Sequence, residues 1–353
     1  TNDTINRKST RETIYSRSKI FVNYYQGVLL ALNTLSEKGL NVDAYIYDTE
    51  NDTNKIKTIV SKDIFPYFDL IFGPVYGQNL PIVVQRAKQF NIPVISPLST
   101  NQEFLEQYPL AFQVSPHDSI LYEQSISHIR QIKAGNYVII NNGNRPNKSF
   151  ANLFKQAFFK GKKLEEISHL GFNEISYYAG DGELKLDSFI DSVENVVIIP
   201  SDDQAFVSDV VSRLNTLNQK YKITLFGHPR WINFDNIDIR FFHNLNTHLF
   251  NLSYIDYEKP EVKDFVYKFR KFYSKEPEKY GFYGYDITYY FLHAYQLFGK
   301  SFYCCFDNYH PELLQMKLEF KQIGPGQGFI NNYMELLNFG RNFLLTPVKT
   351  KNE

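Results

Sequence analysis

The chain has 353 residues, with 38 basic and 38 acidic side chains and a formal net charge of +0. Neutrality on that scale excludes a protein held to nucleic acid by many phosphate contacts. Hydrophobic residues make up 43%, enough for the cores of two ordinary domains, and no run of about 20 apolar residues offers a membrane-spanning helix.

Residues 1–20 are polar and charged and read as a loop or frayed arm, and the polar start over 1–13 is not a secretion signal. Tyr25-Gln26-Gly27-Val28-Leu29-Leu30 opens a first helix, which Lys38-Gly39 stops through a left-handed glycine. Residues 42–47 have a strand pattern. The acidic loop 48–52 lacks the ligand spacing of a calcium-binding EF-hand and reads as a solvated loop capping the helix that follows. Leu70-Ile71-Phe72 is a short apolar run closed by Gly73-Pro74. Leu80, Val83, Val84 and Ala87 then share one helical face, and Pro93-Val94-Ile95 ends in Ser96-Pro97-Leu98-Ser99-Thr100. Strand, helix and strand at this length make a parallel βαβ unit. Gly73 and Gly77 would let a ligand approach the backbone. Thr100 and Glu103 have capping-box spacing, so Ser99 and Thr100 either line a crevice or only cap a helix.

The alternation restarts after Pro116. Asp118 can cap a helix. Residues 137–140 read as a strand ending in Asn141-Asn142-Gly143-Asn144, residues 149–160 as a helix, and residues 167–170 as a strand. Residues 196–199 form a buried-type strand ending in Ser201-Asp202-Asp203, before a helix over 204–217. Residues 223–226 end in Gly227-His228-Pro229-Arg230-Trp231. This is a second doubly wound sheet, and such sheets bind ligands beyond the carboxyl ends of their strands. A strand over 249–255, a helix over 260–273 opened by Pro260, an aromatic-acidic helix around Tyr283 to Asp286, a glycine-rich turn over 323–329 and a hairpin over 333–348 complete the chain. The glycine-rich turn lacks the Gly-Lys-Ser/Thr of a phosphate loop.

No catalytic signature such as Gly-x-Ser-x-Gly or His-Glu-x-x-His is present. Asp202 and Asp203 could work as paired carboxylates with His228, but capping the following helix suits them better, and a lone His228 or His243 more often donates a hydrogen bond. Binding is therefore the preferred class over catalysis. No cofactor and no metal site is implied. Cys304 and Cys305 are adjacent, lack zinc-site spacing, and read as two buried thiols.

Four separated motifs carry a resemblance: Gly73-Pro74-Val75-Tyr76, Ile92-Pro93-Val94-Ile95-Ser96-Pro97, Ser99-Thr100-Asn101 and Phe112-Gln113-Val114-Ser115-Pro116. Their order and spacing resemble the first lobe of type I periplasmic solute-binding proteins, the branched-chain amino-acid receptor family. Tyr25-Gln26-Gly27 and Tyr47-Asp48-Thr49 are similar to a Bacteroidota-type branch often linked to lysin-motif cell-wall modules. The resemblance implies an α/β fold of two doubly wound parallel-sheet lobes joined by a three-segment hinge, the venus-flytrap arrangement. The lobes would hold residues 14–116 plus 253–325 and 117–252 plus 326–350. It also implies a first central strand before the helix at Tyr25, for which this sequence shows no donor.

The implied function is extracytoplasmic capture of a small polar or anionic solute between the lobes, as a transport or sensing receptor in the periplasm or cell envelope. A membrane transporter or cell-wall modules would be its partners, and nucleic acid would not. The implied contacts are Tyr76, Gly77, Ser99 and Thr100 from lobe one, and Asn142, Ser201, Arg230 and Trp231 from lobe two. Two positions depart from amino-acid-binding members. Gly77 stands near where they place a hydroxyl, and the loop 228–231 has no acid for an ammonium group. Arg230 suits an anion and Trp231 a flat or sugar-like face, so an α-amino acid is not the expected ligand. The alternatives are a cell-envelope scaffold of the same fold, contacting protein or peptidoglycan, and an enzyme built on His228, Asp202 and Asp203.

Overall fold

The computed structural model describes residues 18–75, 77–132, 135–144, 151, 152, 154–156, 158–160, 171–177 and 186–348. The chain divides into two compact units and passes between them three times. Unit one takes the chain up to His117 and again Leu252–Tyr333, and unit two takes Asp118–Asn251 and the chain from Met334.

In unit one, β1 (Ile71–Phe72), β2 (Val94–Ser96), β3 (Ala111–Gln113) and β10 (Phe329–Asn331) run parallel in that order, and β9 (Phe320–Gln322) closes the far edge antiparallel. The residues of β2 and β3 are buried throughout, which is why their sequences are apolar runs without alternation. Helices α1 (Lys19–Glu37), α2 (Thr53–Val60), α3 (Leu80–Lys88) and α4 (Glu103–Gln107) come from the first segment, and α8 (Pro260–Tyr273) and α9 (Lys279–Phe298) from the second. Because β10 belongs to this sheet, the last passage between units falls at Tyr333–Met334, after the glycine-rich turn and not within it.

In unit two, β4 (Asn136–Asn141), β5 (Gly171–Ser176), β6 (Glu194–Ile198), β7 (Lys222–Gly227) and β8 (Thr247–Asn251) are parallel, and β11 (Glu335–Phe339) and β12 (Leu345–Pro347) extend the sheet as an antiparallel hairpin. The order is β12-β11-β8-β7-β6-β4-β5. The strand expected over 167–170 lies outside the described residues, and β5 begins at Gly171. The unit contains α5 (Asp118–Ile129), helical residues within 151–159, α6 (Gln204–Leu217) and α7 (Ile239–Asn244).

The seam between α1 and α9 is set by backbone. A methyl group at Gly27 would collide with the Gly281 carbonyl, and one at Gly284 with the Tyr24 carbonyl. Glycine at these positions lets two helices approach more closely than side chains allow. On the same helix Asp286 is wholly buried, and its carboxylate accepts from the amides of Leu314 (2.8 Å), Gln315 (2.9 Å) and Met316 (3.1 Å). Burial pushes this carboxyl up to about 7, although the three amides and Lys259 pull the other way. The sequence marks Asp286 as the acid of an aromatic helix, and its partner is a backbone segment of the same unit.

Two expectations fail. Residues 42–47 form no strand, and Val42, Tyr45 and Ile46 are 41%, 54% and 56% exposed. A strand pattern without a neighbouring strand leaves backbone groups to water. Cys304 is exposed and Cys305 half-exposed, so they are not two buried thiols.

In an exposed helix Gly→Ala stabilises by about 1 kcal/mol. Gly284→Ala will instead lower the urea-unfolding free energy of unit one by roughly 1–3 kcal/mol or more, because the methyl meets backbone. His248 offers a test in unit two. Its Nδ1 bonds the Asn246 carbonyl at 2.9 Å and its Nε2 faces the Asn338 amide nitrogen at 2.6 Å, so a neutral ring donates at one end and accepts at the other. Burial, with His128 nearby, pulls it from 6.5 down to about 4. The unfolded chain takes up this proton first, so the stability His248 contributes is present above pH 6.5 and lost as pH falls toward 4. Asp286 slopes the opposite way over much of this range, so the readout is a difference. The stability advantage of the wild type over His248→Gln should shrink as pH falls through that window.

Candidate functional site

In unit one, β1 ends at Gly73, whose φ of +98° is a left-handed value that favours glycine. Tyr76 lies outside the described residues. Gly77 opens a short 3₁₀ turn, Gly77–Asn79, that leads into α3. A methyl group at Gly77 would lie 2.6 Å from Ser99 Oγ, so Gly77 and Ser99 are brought together from the ends of β1 and β2. Ser99 Oγ accepts from the Asn101 amide at 3.2 Å. Thr100 is exposed and does not cap α4. The N-cap position of α4 is Gln102, and just before it Asn101 Oδ1 accepts from the Glu103 amide at 3.0 Å. Thr100 is thereby left to solvent, where a ligand can reach it.

Two further polar groups mark the ends of the central strands. Ser96 and Gln113 face each other in register across β2 and β3, both fully buried. Gln113 Nε2 donates to the Ser115 carbonyl at 2.8 Å, whereas Gln113 Oε1 and Ser96 Oγ have no hydrogen-bond partner. Unpaired buried polar atoms are uncommon. The signal for them in the sequence is a polar residue at the carboxyl end of an otherwise apolar strand.

In unit two, Asn142 is buried after β4, with Oδ1 accepting from the Asn144 amide at 3.2 Å. Ser201 is buried after β6, and its Oγ accepts from the Asp203 amide at 3.2 Å. Asp203 caps α6 through the Ala205 amide at 3.1 Å and the Phe206 amide at 3.2 Å. Asp202 takes a different partner: its carboxylate meets Arg230 Nη1 at 2.7 Å, with side-chain exposures of 49% and 71%. The loop after β7 has no acid of its own, but the loop after β6 supplies one. Arg230 is thus paired with Asp202, and the helix end beside it is already capped by Asp203.

Trp231 also departs from expectation. Its side chain is 0% exposed within the core of unit two, stacked near Phe242 and lying over Gly227, and its Nε1 donates to the Ser201 carbonyl at 2.7 Å. A ring held this way braces the loop and offers no face to a ligand. His228 Nδ1 accepts from the Arg230 amide at 3.2 Å, and buried His243 bonds the Gly340 carbonyl at 2.8 Å through Nδ1. These bonds give both histidines structural roles. Among the described residues, no group of three or more His, Cys, Asp or Glu is placed to hold a metal.

No family model and no curated protein matches the sequence. Solved structures do match along nearly its whole length. A branched-chain amino acid ABC transporter protein from Rhodospirillum rubrum superposes with a TM-score of 0.67 at 14% identity, covering 94% of this chain and 96% of its own. The chain has the type I periplasmic-binding-protein fold. An ABC transporter substrate-binding protein from Desulfitobacterium hafniense in complex with Leu gives 0.55 at 16% identity, covering 92% and 95%. Full-length LpoA from Haemophilus influenzae gives 0.59 at 11% identity, over 95% of this chain and 57% of its own.

Trp231→Phe removes the indole donor and leaves the buried Ser201 carbonyl without it. Chemical denaturation should show a loss of roughly 1–3 kcal/mol, with unit two destabilised. Arg230→Ala, which removes only a solvent-exposed ion pair, should leave the same midpoint essentially unchanged.

Proposed function

We propose that this protein is an extracytoplasmic receptor that captures a small polar solute, uncharged where the protein contacts it, and serves transport or sensing at a membrane. The contacts are the polar groups at the strand ends: Tyr76, Gly77, Ser99 and Thr100 in unit one, and Asn142 and Ser201 in unit two. Ser96 and Gln113 stand behind the first set. Binding is favoured over catalysis because each candidate acid or base has another task. Asp203 caps α6, Asp202 holds Arg230, and His228 accepts an amide.

The observation that carries the ligand class is the Asp202–Arg230 pair. With Arg230 neutralised, a carboxylate ligand would have to displace Asp202. With Asp202 engaged, the ammonium group of an α-amino acid has no free acid there, and a buried unpaired charge is costly. Hydroxyl or amide groups match the hydroxyl, amide and backbone groups that remain.

A second reading keeps the fold without the solute: a cell-envelope scaffold contacting protein or peptidoglycan. The burial of Trp231 favours it, because the one aromatic face expected for a ligand is spent on the core. Native mass spectrometry of freshly purified protein separates the two. A co-purified small molecule supports the receptor, and repeated absence of any supports the scaffold. Calorimetry with glucose, leucine and glutamate tests the ligand class. Leucine and glutamate should show no micromolar binding, and Arg230→Ala should change the affinity of the co-purified solute less than about threefold, below 1 kcal/mol. Micromolar glutamate binding lost in Arg230→Ala would overturn the class.

A further inference from the structure

Unit one carries a cavity at the end of its sheet away from the candidate site. Gly77, Ser99 and Thr100 follow the carboxyl ends of β1 and β2. The cavity, of about 820 Å³, is lined instead by Leu110 just before β3, by Phe329 at the start of β10, and by Gln322 at the end of antiparallel β9. These positions mark the amino-terminal end of the parallel strands. The 3₁₀ segment Gly299–Asn308, which follows α9, supplies the opposite wall.

A volume of this size is that of a small-molecule site. The floor is aromatic: Phe306 and Phe320 are buried, and Tyr303 and Phe329 are half-buried. Phe329 stacks on fully buried Phe112, with centroids 5.2 Å apart and planes 14° apart. Tyr303 stands beside Phe329 at 6.0 Å, tilted by 52°. Phe329 borders the cavity and is only half covered, so a flat ring entering there would meet the outer part of an aromatic cluster that is already ordered. Such ring pairs add to the burial of apolar area.

The rim is charged. Asp307 and Lys321 both border the cavity and are exposed. Among the described residues neither side chain has an ion-pair partner. The strand ends differ in this respect, because there Asp202 holds Arg230 and Asp203 caps α6. A ligand with a single charge would be drawn to one rim residue and repelled by the other. A ligand with both charges matches the two together.

We propose that this cavity is a second binding site, and that it takes a small aromatic zwitterion. The ring lies on the floor between Tyr303 and Phe329, the carboxylate is turned toward Lys321 and the ammonium group toward Asp307. Because the rim is exposed, neither charge of the ligand pays the cost of burial that excludes an α-amino acid from the strand ends. The ring supplies most of the affinity and the charges select, since exposed ion pairs contribute little. The site is independent of the solute proposed for the strand ends.

An amide-resolved NMR titration with tryptophan, indole and leucine tests this. Tryptophan should shift the amides of Leu110, Lys321 and Phe329 with a dissociation constant below about 1 mM. Indole should bind there about 3- to 10-fold more weakly, leucine should give no shift over the same range, and the amides of Gly77, Ser99 and Thr100 should not move. The double variant Asp307→Asn/Lys321→Gln alters only exposed side chains, and should bring tryptophan to within about twofold of indole. Tyr303→Leu should weaken both aromatic compounds about 3- to 10-fold. If Tyr303→Leu does not fold, the rim variant decides. No shift at the cavity with about 10 mM tryptophan would overturn the proposal, and would leave the reading of the strand ends untouched. Leucine binding as well as tryptophan, or an unchanged ratio of tryptophan to indole in the rim variant, would also overturn it. So would tryptophan shifts at Gly77 and Ser99 with the cavity unmoved.

Discussion

Close backbone contact between α1 and α9 is the constraint on which unit one depends. Gly27 and Gly284 each face a main-chain carbonyl of the opposite helix, and a carbonyl cannot rotate aside as a side chain can. The same α9 carries Asp286 into the interior, where three amides of residues 314–316 converge on it. Tyr254, just after the second passage between units, donates its amide to the Gln315 carbonyl. One helix therefore orders the aromatic core, the segment before β9 and the re-entry of the chain into unit one.

The strand ends follow a second rule: charge is settled within the chain. Asp52 and Asp203 cap helices, and Asp202 holds Arg230. Beside them at the strand ends stand the hydroxyl and amide groups of Ser99, Thr100, Asn142 and Ser201. Trp231 shows how a residue that looks like a ligand platform can serve as a brace, because its indole N–H finds the Ser201 carbonyl and its ring fits over a glycine.

Much of this was legible in the sequence because the signals are local. Continuous apolar runs marked β2, β4, β6 and β7, since strands covered on both faces need no alternation. Asp203 before α6 and Pro260 at the start of α8 act within a turn of their own helix. What could not be read depends on distant partners. Residues 42–47 have the pattern of a strand, but a strand exists only where another pairs with it. Asp202 and Arg230 lie in different loops, so their ion pair has no local trace. Thr100 has capping-box spacing to Glu103, but the helix begins at Glu103 itself, with Gln102 at its N-cap. The last passage between units lies beyond the glycine-rich turn because β10 pairs with β3, a register no short motif announces.

The central claim is that the polar strand ends of both units recognise the solute. Its most direct test is an amide-resolved NMR titration of the protein with the compound that co-purifies with it. The account predicts that the amides of Gly77, Ser99 and Thr100 in unit one, and of Asn142 and Ser201 in unit two, shift as the solute is added. Shifts confined to the aromatic cavity lined by Tyr303, Phe306 and Phe329, with the strand ends unmoved, would contradict it.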